Sequence, residues 1–161
     1  MTKLHNAHRR DTKPLDMGVD RETLTSWLAE YDHDKLTIGV VASHSSLQIL
    51  HGARKEGFRT LGIAVGENRR KFYQAFPGAD PDEWLILEDY REMLDYAEWF
   101  RKRNVIIVPH GSLVEYLGST NFKNLQVPTF GNRGILHWES SRQRQRDWLE
   151  AGGCDMPKVL E

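Results

Sequence analysis

Two short segments of the sequence combine residue types that bind small anions. Ser43-His44-Ser45-Ser46 and Pro109-His110-Gly111-Ser112 each offer an imidazole and at least one hydroxyl. Each follows a short run of β-branched residues and precedes a helical apolar pattern, so each is predicted to be a strand-to-helix turn. The unpaired N–H groups and positive dipole end of a helix N-terminus attract anions such as phosphate. The turns therefore predict a phosphorylated small ligand, with these candidate binding residues: His44, Ser45, His110 and Ser112.

Structural roles compete with ligand binding at two of these positions. Ser112-Leu113-Val114-Glu115 fits a capping box, which needs no ligand, so both roles stay open for Ser112. A single histidine at a strand end is more often structural, which weakens the case for His110 taken alone. Two similar turns that are expected to be neighbours strengthen the case for His44.

Basic residues follow two other predicted strands. Arg133, in Phe130-Gly131-Asn132-Arg133, could bind a phosphate or carboxylate with its planar fork, and Gly131 permits close approach of the backbone. Arg69-Arg70-Lys71 could form an electropositive rim, although basic residues at a helix start are usually just solvated. The sequence has neither a Gly-x-Gly-x-x-Gly turn nor a Walker A sequence, so these turns indicate neither a dinucleotide nor a nucleoside triphosphate.

The elements that would position these residues alternate between strand and helix. Strands are predicted at 36–41, 60–65, 84–87, 105–108 and 127–130. Helices are predicted at 20–31, with Asp20 as the N-cap, and at 45–56, 67–76, 90–103, 112–117 and 140–151. This alternation predicts an α/β fold with an open, parallel, Rossmann-like sheet of about five strands. In the order 3-2-1-4-5 the first and fourth strands are neighbours, and ligands bind at the carboxyl edge of such sheets.

Length and charge are consistent with one domain. The 161 residues are 39% hydrophobic, with 22 lysines and arginines against 23 aspartates and glutamates. One core is expected, and nucleic acid is not an expected partner because the overall charge is balanced. Residues 1–19 are polar with little apolar periodicity, so they are predicted to be a flexible arm, and residues 20–161 the domain.

Cysteine usage and hydropathy predict a cytoplasmic protein. Cys154 is the single cysteine, and no cluster has zinc-ligand spacing, so neither an internal disulfide nor a bound metal is expected. No stretch approaches the roughly 18 apolar residues of a membrane span, and the start lacks the apolar run of a signal peptide. A membrane partner is therefore not expected.

The run from Ser43 to Ala53 is similar to the first strand-turn-helix of the archaeal PurP family. The similarity covers most of residues 36–161, and the matching blocks occur in the same order as in the family, at compatible spacing. The other blocks that carry it are Lys55-Glu56-Gly57-Phe58, Lys71-Phe72-Tyr73, Val108-Pro109-His110-Gly111-Ser112, Phe130-Gly131-Asn132-Arg133 and Trp138-Glu139-Ser140. The sequence departs from the family at Ala42, where members usually have glycine, and the ATP-grasp region of the family would begin near residues 157–161.

The resemblance implies the pre-ATP-grasp domain of a ligase in purine biosynthesis. Family members are formate-dependent synthetases that convert 5-aminoimidazole-4-carboxamide ribonucleotide (AICAR) to its formamido product (FAICAR), with ATP activating formate as formyl phosphate. They bind the ribonucleotide partly through residues that match His44 and Ser112. ATP and magnesium are expected for the complete enzyme and not for this chain, which is expected to be inactive alone. Family members associate into homo-oligomers.

Two other interpretations stay open. The chain could be a free-standing ribonucleotide-binding or regulatory module, or a small subunit that completes a ligase with a separate ATP-grasp chain. A reading frame that continues beyond Glu161 would favour an ATP-grasp domain in cis. A stop codon there would favour either of these alternatives.

Overall fold

The structure is a computed structural model that describes residues 18–158. Of the arm predicted at 1–19, only the last two residues lie within this range. The first helix, α1 (Arg21–Ala29), begins after Asp20, whose carboxylate accepts a hydrogen bond from the Thr23 backbone N–H at 2.7 Å. The N-cap predicted at Asp20 is therefore confirmed.

Four parallel strands form an open sheet in the order β3-β2-β1-β4. The strands are β1 (Thr37–Val41), β2 (Arg59–Val65), β3 (Glu83–Leu87) and β4 (Val105–Ile107). Gly39 pairs with Leu61 on one side and Ile107 on the other, so β1 lies in the middle of the sheet. The α/β class, the parallel sheet and the first four strand positions agree with the sequence prediction.

The predicted fifth strand is reduced to one bridge, between Ile107 and Thr129. Two backbone hydrogen bonds hold this segment beside β4: Ile107 N–H donates to Pro128 O at 3.0 Å, and Phe130 N–H donates to Ile107 O at 2.8 Å. Pro128 has no N–H to donate, so a regular ladder cannot continue through it. The segment occupies the predicted place at the sheet edge, but the sheet has four strands and not five.

Helices connect the strands and cover the sheet. Those close to their predicted positions are α2 (His44–Lys55), α3 (Gly66–Gln74), α5 (Gly111–Leu117) and α8 (Arg142–Ala151). Two short α-helices were not predicted, α6 (Ser119–Asn124) and α7 (Ile135–Glu139), and neither was a 3₁₀ helix at His33–Lys35. None of the helices within residues 18–158 is both long enough and apolar enough to cross a membrane.

The long helix predicted at 90–103 is divided in two. A 3₁₀ helix covers Tyr90–Leu94, and α4 (Ala97–Arg101) follows it. Asp89 begins the first part, because its carboxylate accepts from the Arg91 N–H at 2.8 Å. Apolar residues three apart lie on one face of both helix types, so the sequence pattern could not distinguish them.

The core lies where the sheet meets the helices that follow β3 and β4. Its largest fully buried side chains include Phe100 and Phe122, both without exposed surface. Gly62 in β2 allows the Trp84 ring to lie directly over the strand, since a Cβ at this position would be 2.6 Å from that ring. This packing fixes the sheet whose carboxyl edge carries the candidate site.

Candidate functional site

The turns that follow β1 and β4 are in contact. His110 Nε2 lies 3.1 Å from the carbonyl oxygen of Val41 and 3.5 Å from Ser43 Oγ. Because a carbonyl oxygen only accepts hydrogen bonds, Nε2 carries the proton in this contact. The pairing of β1 with β4 brings these turns together. The prediction that the two turns are neighbours is therefore confirmed.

Three predicted binding residues lie at helix N-termini beside this contact. His44 and Ser45 are the first two residues of α2, and Ser112 is the second residue of α5. His44 is exposed, and Ser45 and Ser112 are half-buried. Backbone N–H groups in the first turn of a helix lack helical partners. The two turns thus present hydroxyls, an imidazole and backbone donors at one edge of the sheet.

Ser112 does not cap α5. The N-cap is His110, whose backbone is extended with φ −148° and ψ 173°, so Ser112 lies inside the helix. Of the two roles left open for Ser112, the capping box is therefore not formed. The serine that closes a first turn is Ser46 of α2, whose hydroxyl accepts from Ser43 N–H at 3.1 Å and donates to Ser43 O at 2.6 Å. These bonds fix the turn that carries His44.

His110 is held in its neutral form. Burial lowers the pKa of His110; its hydrogen bond to the Val41 carbonyl opposes this shift, and nearby His44 adds to it. The Nδ1 atom is buried and has no hydrogen-bond partner among residues 18–158. A second proton on Nδ1 would have no acceptor there. The arrangement therefore favours the tautomer that donates from Nε2 to the end of β1.

We expect His110 to make the protein less stable in mild acid. An unfolded histidine binds a proton near pH 6.5, whereas the lowered pKa of folded His110 delays protonation. The stability that this difference provides is complete above about pH 6.5 and is lost as the pH falls toward the folded pKa. Urea unfolding at pH 7.5 and pH 5.5 would measure the loss, which His110→Gln should reduce. Exposed His137→Gln serves as the control, and a wild-type pH response in His110→Gln would contradict the prediction.

Arg69 approaches the end of β1 from the opposite side. It lies in α3, and its Nη1 donates to the Ala42 carbonyl oxygen at 2.8 Å and to the Tyr116 hydroxyl at 3.3 Å. The guanidinium carbon lies 4.9 Å from the centre of the Tyr116 ring. The Ala42 N–H donates to Ile63 O of β2 at 2.7 Å, so Ala42 faces β2. Arg69 and His110 therefore contact successive carbonyls of the chain from opposite sides.

From the sequence, Arg69 was predicted only as part of a possible electropositive rim with Arg70 and Lys71. A signal was nevertheless present, because α3 begins directly after β2, and β2 is the neighbour of β1. A long side chain in the first turns of that helix can therefore reach the end of β1. Arg70 and Lys71 differ from it: Arg70 pairs with Glu67 at 2.7 Å, and Lys71 is exposed.

Arg133 is held by other parts of the chain. Its side chain is buried, and it donates from Nη1 to the carbonyls of Lys123, at 3.3 Å, and Leu125, and from Nη2 to that of Val127. Burial lowers its pKa to about 10. These bonds engage the fork that was predicted to bind a phosphate, and they organise the segment 123–127. We therefore leave Arg133 out of the proposed binding site.

A cavity of about 650 Å³ opens beside the β4 turn. His110, Gly111 and Glu115 line one side, and Leu136, Glu139 and Ser140 line the other. Its size is in the range of small-molecule sites, and it is next to the contact between the two turns. The cavity gives a small ligand space to extend from the turns toward α7.

An open parallel sheet with two adjoining strand-to-helix turns places the chain in the α/β class, and the cavity at the carboxyl edge of the sheet is its candidate small-molecule site. Residues 38–160 match the family described as a protein of unknown function, DUF1246, and the chain belongs to this family.

Proteins similar to this chain include synthetases from archaea. The chain is 55% identical over 143 residues to 5-formaminoimidazole-4-carboxamide-1-(beta)-D-ribofuranosyl 5'-monophosphate synthetase 1 of Methanosarcina mazei, a match covering 89% of this chain and 40% of that protein. A 5-formaminoimidazole-4-carboxamide-1-(beta)-D-ribofuranosyl 5'-monophosphate synthetase from Korarchaeum cryptofilum is 45% identical over 144 residues. This match covers 88% of this chain and 39% of that protein. These matches confirm the resemblance to the PurP family. The chain spans about 40% of the length of such relatives.

Proposed function

We propose that this domain binds the ribonucleotide monophosphate substrate, AICAR, of a FAICAR synthetase-like ligase in purine biosynthesis. The observation that carries the proposal is the contact of His110 with Val41 O and Ser43 Oγ, which joins the turns at the starts of α2 and α5. The names of the relatives support the same ligand class, since they specify a ribofuranosyl 5'-monophosphate.

The chemistry of the turns suits the phosphate of such a ligand. A phosphate monoester carries up to two negative charges and accepts several hydrogen bonds. The side chains of His44, Ser45 and Ser112 make no hydrogen bond to the residues that the structure describes, so their donors are available to a ligand. The positive dipole end of α2 adds a favourable field at the same place. The ribose and base would then extend into the cavity beside His110.

In this proposal the domain binds and orients the ribonucleotide, and an ATP-grasp domain, in cis or in trans, activates formate. ATP with magnesium supplies the phosphoryl group for that activation. In residues 18–158 no group of three histidine, cysteine, aspartate or glutamate side chains could hold a metal ion. The role proposed for these residues is to hold the nucleotide in a fixed position.

The monophosphate is expected to bind far more tightly than its nucleoside, and His44 and Ser112 should account for part of the difference. Hydrogen bonds to a charged group contribute about 1.5–3 kcal/mol each. Replacing either residue with alanine should therefore weaken nucleotide binding by about 10- to 100-fold. Calorimetric titration of AICAR and its nucleoside into the 161-residue chain would measure these differences. Because Ser112 is not an N-cap, Ser112→Ala should leave stability nearly unchanged.

His137→Ala is the control for His44→Ala, since His137 is also exposed but lies in α7. It should bind the nucleotide like the wild type. Equal affinity of the wild type for nucleotide and nucleoside would contradict the proposed phosphate site, and so would unchanged nucleotide affinity in both His44→Ala and Ser112→Ala.

A further inference from the structure

Arg69 is a cation without an ion pair among the described residues. Its Nη1 donates to a carbonyl and a hydroxyl, which are both uncharged partners. The next residue, Arg70, instead pairs with Glu67 and lies along the same helix. Arg69 is half-buried, and burying a charge without an opposite charge is costly. The buried fork of Arg133 donates to three carbonyls from two nitrogens, whereas both bonds of Arg69 come from Nη1 at the carboxyl edge of the sheet, and this difference points to an anionic partner from outside the chain.

The guanidinium is held in position by an aromatic stack. Tyr116 accepts from Arg69, and its ring stacks on that of Tyr90, with centroids 5.0 Å apart and planes 9° apart. Tyr90 is only 7% exposed, and its buried hydroxyl makes no hydrogen bond of good geometry among residues 18–158. Burial raises the pKa of Tyr90, and the charge and proximity of the Arg69 guanidinium oppose that shift. The two stacked tyrosines thus place both of their hydroxyls next to the guanidinium of Arg69.

The fork of Arg69 has donors left for a ligand. An arginine has five N–H groups, and within residues 18–158 the hydrogen bonds of Arg69 to the Ala42 carbonyl and the Tyr116 hydroxyl both come from Nη1, with the Tyr90 hydroxyl also close to the guanidinium. Arginine recognises phosphate by donating from two such groups at once. Its carbonyl partner, Ala42, precedes the Ser43 and His44 turn directly. The free donors therefore belong to the same edge as the N-terminus of α2.

Arg69 gives this edge a positive charge with which a phosphate can pair. Burial lowers the pKa of His110, and the serine hydroxyls carry no charge. The guanidinium of Arg69 is always protonated in a folded protein, and its hydrogen bond to Tyr116 raises its pKa further. Arg69 lies on the β2 side of the turn, and His110 lies on the β4 side. The positive charge of Arg69 would offset the negative charge of the phosphate.

We propose that Arg69 binds the phosphate group of the nucleotide from the β2 side of the turn, with Tyr116 holding the guanidinium in place. The proposal rests on the proposed function and adds to it the residue that supplies the charge. It places the phosphate contacts at Arg69, the start of α2 and Ser112, and leaves the cavity beside His110 for the ribose and base.

The test compares Arg69→Gln with Arg70→Gln, which removes the same charge from the same helix. AICAR, its nucleoside and inorganic phosphate would each be titrated calorimetrically into the 161-residue chain and its variants, after thermal unfolding has shown that each is folded. Arg69→Gln should weaken AICAR binding by about 10- to 100-fold and leave nucleoside binding unchanged. Arg70→Gln should bind all three ligands like the wild type.

Two milder variants test the fork and its support. Arg69→Lys keeps the charge but cannot donate from two groups of a planar fork, so an intermediate loss is expected. Tyr116→Phe keeps the stack on Tyr90 and removes one hydrogen bond to Arg69, so AICAR binding should weaken by about 2- to 10-fold. If Arg69→Gln does not fold, these variants decide: an unchanged ratio of nucleotide to nucleoside affinity in both would overturn the inference.

The outcomes separate this inference from the proposed function. Tight AICAR binding by the wild type with equal affinities in Arg69→Gln and Arg70→Gln would overturn the role of Arg69 alone. Equal weakening of nucleotide and nucleoside in Arg69→Gln would place Arg69 at the ribose or base and also overturn it. Phosphate binding that depends on Arg69, without AICAR binding, would support the anion site and overturn the proposed substrate. Binding of neither ligand by the wild type would overturn both.

Discussion

Replacing Arg133 with methionine is expected to lower the free energy of unfolding by about 3–5 kcal/mol. The guanidinium donates to the carbonyls of Lys123, Leu125 and Val127, and the last two belong to fully buried residues. Methionine fills a similar volume but donates nothing, so these hydrogen bonds to a charged group, worth about 1.5–3 kcal/mol each, are lost. The Leu125 carbonyl keeps the Val127 N–H as a donor, whereas the buried Val127 carbonyl loses the guanidinium as its donor. Urea unfolding of the variant and the wild type would measure the change.

Arg142→Met is the matched control, because Arg142 lies exposed in the first turn of α8. Its effect should stay within about 0.5 kcal/mol. An equally small effect in Arg133→Met would show that the contacts of Arg133 with the segment 123–127 contribute little to stability.

Arg133→Lys tests the alternative that Arg133 binds a phosphate. Loss of nucleotide affinity in a folded Arg133→Lys protein would support that role.

Phe100→Ala is expected to destabilise the protein by about 3–5 kcal/mol, the usual cost of removing a buried aromatic ring. Phe100 has no exposed surface and lies in α4, a helix of 5 residues that is too short to be stable without tertiary packing. Phe72→Ala makes the same change at a ring that is 60% exposed in α3. Denaturant unfolding of the two variants would compare the sites directly.

Phe72→Ala should change stability by about 0.5 kcal/mol or less. A small loss in Phe100→Ala would mean that the chain can close the cavity or that α4 does not contribute to the cooperative core. A loss of several kcal/mol in Phe72→Ala would instead mean that the ring of Phe72 is covered in solution.

Much of the fold was predictable because the strands are short, buried runs of β-branched and other apolar residues. Such runs, alternating with helices, specify a parallel sheet, and the pairing of β1 with β4 follows from the usual strand order. The start of α1 was predictable for a local reason, the side-chain cap at Asp20.

Where the prediction was wrong, the deciding interactions were not local. Pro128 limits the fifth strand to a single bridge, which depends on how Ile107 is already paired. The apolar spacing of Tyr90, Met93, Ala97 and Phe100 fits one α-helix equally well, yet the chain divides there. The short helices α6 and α7 have too few residues to show a clear periodicity.

The candidate site shows the same limit. His44, Ser45, His110 and Ser112 could be brought together from sequence because strand order alone makes their turns neighbours. Nothing local distinguishes Arg69 from Arg133, since both are arginines near the end of a strand. Their roles are set by the carbonyls within reach, which are Ala42 O for one and the segment 123–127 for the other.

The contacts of Val41 O and Ala42 O, with His110 and Arg69 respectively, are made by the main chain of β1. No side-chain replacement at positions 41 and 42 removes these acceptors. Which residues can occupy the two buried positions is therefore limited mainly by the space available for their side chains. The glycine usual in the family and the alanine of this chain are thus interchangeable as acceptors. Selection to keep these two hydrogen bonds would act on the donor residues, at positions 69 and 110. If the arginine or the histidine were lost, no side-chain change within β1 could restore the bond.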